Sequence, residues 1–223
     1  WYITITKLSD NQSYESEPFS VSKDFYNFRD HNIKHINVFA TKAAIIKTVD
    51  EIHGVVLKGI SSDYDFSFFN KNLVAGEVLN FNDSIISNDI LISKQVADLL
   101  QLDLYDNLVM YFIQEPFRVR KFIIKGIYNT SMIDFDKLFV LADIRHIQNL
   151  NSWQDDQVGG VEIAINDFDN IEHITESIYD KIPYDLNAKS IIDNYPQIFD
   201  WLDLQDVNVR VILILMFVVA AIN

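Results

Sequence analysis

The chain has 223 residues, 49% apolar and 22% charged, and a formal net charge of −14. That length holds one large domain or two small ones with a sizeable core, and that charge argues against a nucleic-acid partner, because phosphate binding needs clustered Lys and Arg. The absence of cysteine excludes disulfides, thiolate metal sites and cysteine nucleophiles. The six glycines leave no Gly-rich loop for a phosphate or a dinucleotide. Trp1 is not a natural start, and both ends read as cut points in a longer protein.

Residues 1–8 alternate Ile3 and Ile5 against Thr4 and Thr6 and predict a strand. A polar loop follows over 10–17. Ser22 is placed to cap a helix over 23–30, with Phe25 and Phe28 on one face. A β-rich run then extends from Ile33, Ile36 and Val38 through Ile45 and Ile46 to Val55, Val56 and Leu57. Composition turns aromatic and polar over 61–88, with Tyr64, Phe66, Phe68 and Phe69 close together. Residues 90–92 read as a short strand, after which Ser93 caps a helix carrying Val96, Leu99 and Leu100. Two strands, 108–114 and 117–128, are separated by Glu115-Pro116, a hairpin or loop signal. The apolar run 138–141 precedes a short helix with Ile144, Ile147 and Leu150 at a spacing of three.

The last third has the clearest pattern. Val161, Ile163 and Ile165 alternate with Glu162 and Asn166 and predict a half-buried strand. Asp167 or Asp169 would cap the next helix, whose apolar stripe is Ile171, Ile174 and Ile178. A strand over 186–192 would complete a β-α-β unit. Pro196 suits the first turn of a helix with Phe199, Trp201 and Leu202, which runs into the uncharged stretch 211–222. That stretch is about 12 residues, or 18 Å as a helix, short of a hydrocarbon core of about 30 Å. Hydropathy alone leaves it open between a buried core helix and the opening turns of a spanning one. Its apolar character on every face, its place at the end of the sequence and the flanking Trp201 and Arg210 favour spanning. The scarcity of Lys and Arg after 190 favours a translocated flank.

Little chemistry stands out. His31 and His35 are four apart, but no Glu takes the metalloprotease position. They read as surface histidines at a helix-to-strand turn. The acidic pairs Asp63/Asp65, Asp134/Asp136, Asp155/Asp156 and Asp167/Asp169 each sit beside a predicted turn or helix start. Capping and Asx-turns account for them better than a cation does. No Ser, His and acid form a recognisable triad. No catalytic, cofactor or metal residue is expected, and the chain is not expected to be an enzyme. Arg118, Arg120, Lys121 and Lys125 form a basic cluster in an acidic chain. Arg118 and Arg120 share a strand face. The cluster is either a charged hairpin edge that resists aggregation or a docking surface for an acidic partner; Arg118, Arg120 and Lys121 are the candidate partner-binding residues. Gly159-Gly160 reads as a tight turn or a hinge.

Several segments together resemble the periplasmic region of ABC transporter permeases of the LolC/LolE type, related to MacB and FtsX. Val56-Leu57-Lys58-Gly59-Ile60 is similar to the family's strand ending in Gly-Ile. Ile90-Leu91-Ile92-Ser93 followed by Ala97-Asp98-Leu99-Leu100 resembles the segment where a small residue and leucines precede a turn. Gly126-Ile127-Tyr128 closes a strand as the family's does. The stretches 136–140, 144–150 and 157–166 follow in the family's order, and 201–223 resembles the start of its second transmembrane helix. Tyr105-Asp106 departs from the pattern, since the family carries Gly before that Asp; the turn needs another conformation or a non-Gly residue at positive φ. The short hairpin 114–120 stands nearest to the one by which a family member holds a periplasmic chaperone.

The resemblance implies an α+β fold in two subdomains: a discontinuous β-α-β porter-like part over 1–60 and 157–196, and an inserted β-rich part over 61–156. A stalk helix and the start of a transmembrane helix occupy 197–223. It also implies an inner-membrane permease subunit, this domain on the periplasmic side, paired with a second permease subunit and with cytoplasmic ATPase subunits, and needing no cofactor here. The expected work is mechanical: release of lipoprotein cargo from the membrane to a chaperone. The alternatives are a MacB/FtsX-like permease for efflux of small molecules or peptides or for gating a cell-wall hydrolase and, in another class, a soluble periplasmic binding module or a secreted enzyme.

Overall fold

The structure, a computed structural model, describes residues 2–8, 13–21, 32–48, 51–81 and 85–222. The helix expected behind Ser22, with Phe25, Phe28 and His31, lies outside these residues.

Alternation builds the first flank. Strand β1 (Ile3–Lys7) buries Ile3 and Ile5 and leaves its threonines half-buried. Two strands lie against it, β11 (Gly160–Ile165) and β12 (Leu186–Ser190), each antiparallel to it. They therefore run parallel to each other, and α5 (Ile171–Tyr179) crosses between them, so the expected β-α-β unit is split by β1. Strand β12 ends at Ser190, earlier than expected, because Ser190 and Asp193 form a capping box that starts α6 (Ile191–Asn194). Helix α5 buries Ile171, Ile174 and Ile178 as its spacing requires. Its N-cap is Asn170, not Asp167 or Asp169; Asp167 instead accepts from the Asp169 N–H and the Asn170 side chain, a local Asx-type turn.

Strand β11 differs from its half-buried expectation: all six residues are buried. Glu162 is the residue that alternation assigned to solvent. It stays inside because Lys58 Nζ reaches its carboxylate at 2.5 Å from a strand 104 residues away, while the same ammonium lies over the Phe39 ring. Gly159 bends the chain between β10 (Gln157–Val158) and β11, in a place where any Cβ would strike Ser16 at 2.3 Å. Close approach, rather than a tight turn at positive φ, explains the glycine there. Strand β10 pairs with β2 (Phe19–Ser20) as a separate ribbon.

The 15-residue β3 (Ile33–Lys47) links two architectures. Its first half pairs with β11, its second half, from Phe39 to Lys47, pairs with β4 (Ile52–Ile60), and its far end meets β7 (Asn107–Phe112) at Ile45 and Ile46. Beyond β4 come β9 (Phe139–Asp143), parallel to it, then β6 (Asp89–Ser93) and β8 (Arg118–Tyr128). Strand β8 pairs back with β7. The pairings β3-β4-β9-β6-β8-β7-β3 thus form a closed six-stranded ring, which removes most of the edge an open sheet would expose. Ile46, Leu57, Ile90, Met110, Phe122 and Val140, none exposed to solvent, belong to the apolar cluster that fills it and continues under β1 and β11.

The aromatic stretch forms a second, smaller cluster outside the ring. Tyr64 and Phe69, the latter on α1 (Ser67–Lys71), pack with Ile60, Leu91, Tyr128 and Leu141, beside β5 (Leu73–Gly76). Tyr128 donates to the Phe139 carbonyl at 2.7 Å, and burial pushes its phenol well above the ordinary value. Ser93 caps α2 (Lys94–Leu100) through the Val96 N–H at 3.0 Å. That helix buries Val96, Ala97 and Leu100, while Leu99, expected on the apolar face, is exposed. Tyr105 does hold a positive φ, +69°, with its N–H bonded to the Ile124 carbonyl. Helix α3 (Ile133–Leu138) precedes β9, and α4 (Arg145–Asn151) buries Ile147 and Leu150. Helix α4 sits so close to β4 that a Cβ on Gly59 would meet the Ile144 Cα at 2.6 Å.

Candidate functional surfaces: an unburied helix and a cationic hairpin

Helix α7 (Pro196–Ile222) is a single 27-residue helix. At 1.5 Å per residue it is about 40 Å long, enough to cross a hydrocarbon core of about 30 Å. The apolar stretch 211–222 is therefore not an isolated piece of 18 Å; it continues a helix that starts fifteen residues earlier. None of its longest apolar window is buried. A core helix of a soluble protein would have that window covered, and the head does not cover it. Length, composition and exposure suit a membrane span.

The helix is fixed to the head at its root. Phe199, the half-buried residue of its first turns, stacks on Phe168 with centroids 6.1 Å apart, and Phe168 meets Tyr2 edge-on at 5.6 Å. The Tyr2 carbonyl accepts from the Ile191 N–H of α6 at 2.7 Å. Three rings therefore join the start of α7, the loop before α5 and the strand β1. Phe168 gave no signal in the sequence, where its flanking aspartates drew attention to capping instead.

The basic cluster lies on the β7–β8 hairpin. Arg118, Arg120 and Phe122 alternate on one strand face, Val119, Lys121 and Ile123 on the other. Arg118 is paired in register with Phe112, Arg120 with Met110 and Lys121 with Val109. Arg120 donates to the Val119 carbonyl. The structure separates Lys125 from this group: its ammonium is 2.7 Å from Glu77, whose hydrogen bond and charge raise its pKa. At the hairpin tip, Gln114 Nε2 holds the Leu150 carbonyl of α4, and Phe117 lies against Tyr111.

Several of the other candidate residues are engaged in structural contacts. His35, His53 and His146 each place Nε2 at 2.8–2.9 Å from a backbone carbonyl, of Asp63, Lys137 and Ser87. Burial lowers the His146 pKa, its ring packing edge-on to Phe122. The Asp136 carboxylate is buried and gathers the Thr130 and Ser131 N–H groups and the Thr130 hydroxyl. The Ser67 N–H donates to Asp65, which lowers its pKa. Among the described residues no three His, Asp or Glu side chains converge as a metal would require. A cleft of about 270 Å³ opens between Val38, Ser61, Phe81 and Arg145. Two of its polar side chains are matched within the head, Asp143 by Arg145 at 2.5 Å and Gln148 by the Asp155 and Gln157 carbonyls.

No protein-family model matches the chain, and no curated protein does. Solved structures do. The periplasmic region of MacB from Actinobacillus actinomycetemcomitans superposes with a TM-score of 0.59 at 14% identity, over 89% of this chain and 92% of that one. The extracellular domain of the noncanonic ABC-type transporter YknZ from Gram-positive bacteria gives 0.54 at 14% identity, over 84% of this chain and 98% of that one. At such identity the likeness is one of fold: the chain folds as the extracytoplasmic domains of MacB and YknZ do, the α+β fold expected from its sequence.

Proposed function

We propose that this chain is the extracytoplasmic domain of an ABC transporter permease subunit, set in the cell membrane through α7 with its head on the periplasmic side. One conjunction carries the reading: a head of the MacB and YknZ fold, rooted through Phe199, Phe168 and Tyr2 on a long apolar helix with no buried window. In this reading the chain performs no covalent chemistry. ATP is hydrolysed on a cytoplasmic partner, and closure of that partner moves the membrane helices of two permease subunits. Helix α7 acts as a lever, and the three rings pass its displacement to β1 and to the loop leading into α5. Both lie beside β11, which is hydrogen-bonded to the strand β3 that enters the closed ring. The mechanical output would be release of a lipoprotein from the inner membrane to a periplasmic chaperone. The second reading is a MacB/FtsX-like permease that exports small molecules or peptides or gates a cell-wall hydrolase; the fold likeness to the MacB periplasmic region favours it.

The test is purification of the full-length protein from membranes, followed by ATP turnover in nanodiscs. The expected result is a co-purifying ATPase whose turnover rises with cargo, and uncoupling of that rise by Phe199→Ala. Labelled lipoprotein leaving spheroplasts only with the intact complex supports release; its retention with export of a small solute supports the second reading. A protein that leaves the membrane under alkaline wash and carries no ATPase contradicts both.

A further inference from the structure

The β7–β8 hairpin shows a face and an edge that the rest of the head does not use. Ile113 and Phe117 in the turn and Val119 and Ile123 on β8 are 74%, 57%, 43% and 39% exposed. Between them and on the opposite face stand Arg118, Arg120 and Lys121, and among the described residues none of the three is in an ion pair. The backbone is open at its N–H groups, while the Val119 carbonyl is taken by Arg120. Strand β6 pairs with β8 only from Ile123 onward, so 118–122 is bonded on the β7 side alone among the described residues. The Ile123 N–H points away from β7, to the Asn88 carbonyl. Strand alternation turns the N–H groups of Val119 and Lys121 the same way.

Charge on an edge can serve simply to keep other strands off, but that role does not explain an apolar row beside it. The charge balance selects an occupant. A second copy also carries −14 overall, and the two repel at long range. A patch of three unpaired cations with apolar neighbours fits an acidic and apolar strand.

We propose that an extended segment of another protein, alternating acidic and apolar residues, adds as a strand beside residues 118–122 of β8. Its carboxylates lie on the side of Arg118 and Arg120, and its apolar side chains on the side of Val119 and Ile123. Its backbone bonds to the outward N–H groups of Val119 and Lys121.

The probe is a fluorescein-labelled nine-residue peptide alternating Glu and Val, read by fluorescence anisotropy against the full chain in nanodiscs. The expected result is saturable binding that weakens with added salt and is absent for the matching Lys/Val peptide. N-methylation of every second peptide residue abolishes it, a control that leaves the protein untouched. Reversal of the two cations on the carboxylate side (Arg118→Glu, Arg120→Glu) weakens binding at least about tenfold. Val119→Pro removes an outward donor but no bond to β7, and weakens binding about fivefold at an unchanged thermal midpoint. Equal binding of the two peptides, equal binding of the N-methylated peptide, or wild-type binding by a folded double variant overturns the proposal. So does self-association of the chain, or its adsorption to phosphatidylglycerol vesicles, that is lost on reversal while the peptide stays unbound. Failure here leaves the permease reading intact, because only peptide binding is read.

Discussion

In α5, isoleucines recur at every third or fourth position, and Ile171, Ile174 and Ile178 are each at most 3% exposed. In α7 the side chains from Val211 to Val219 are apolar on all sides and 47–79% exposed. Apolar composition alone does not separate these helices; the period does. A stripe needs one neighbour and finds it in the sheet, whereas an all-round apolar surface needs an apolar solvent. The head is held by its own core, and among the described residues no side chain of α7 belongs to that core, Phe199 meeting Phe168 outside it.

The contrast predicts where substitutions matter. The largest effect is expected inside the sheet: Lys58→Ala leaves the Glu162 carboxylate buried without its cation and should cost the head about 3–5 kcal/mol in denaturant titration. Next, Ile174→Ala empties a buried site under α5 and should cost about 2–4 kcal/mol, while Leu213→Ala in α7 should change head stability by under about 0.5 kcal/mol. Equal costs at these two positions would break the comparison. Ser93→Ala removes the cap of α2 and should cost about 1 kcal/mol. The smallest effect is a pH dependence. Burial holds the His146 pKa below 6.5 in the folded head, so below that pH the unfolded chain binds more protons, and stability should fall until the folded pKa is passed. His146→Gln should flatten that part of the thermal-midpoint profile between pH 7 and the acid limb.

Local chemistry was legible and distant pairing was not. Ser93 announced its helix and Glu115-Pro116 its hairpin or loop, because each depends on residues a few positions away, whereas the positive φ of Tyr105 was one of two alternatives raised only by the family resemblance. Glu162 read as solvent-facing because the cation that admits it to the interior is Lys58, 104 residues earlier. The closing of the ring was equally hidden, since nothing in 107–112 says that it will meet Ile45 and Ile46. Of the candidate surfaces, the cations Arg118, Arg120 and Lys121 were visible as a local cluster. The apolar row beside them was not, because Val119 and Ile123 look like core residues and only the fold shows them 43% and 39% exposed. The ring joint was invisible too, as Tyr2, Phe168 and Phe199 meet only in the fold.

The absence of cysteine makes the central claim directly measurable, since any introduced thiol is the sole label site in this chain. Single cysteines replace Gln197, Asp200, Leu213, Met216 and Val219 in the membrane-embedded protein, and each variant meets a membrane-impermeant maleimide from the head side. The account predicts labelling at 197 and 200 and protection at 213, 216 and 219 until detergent is added. Labelling of all five positions before detergent would contradict it, and α7 would then have to find its apolar cover in protein.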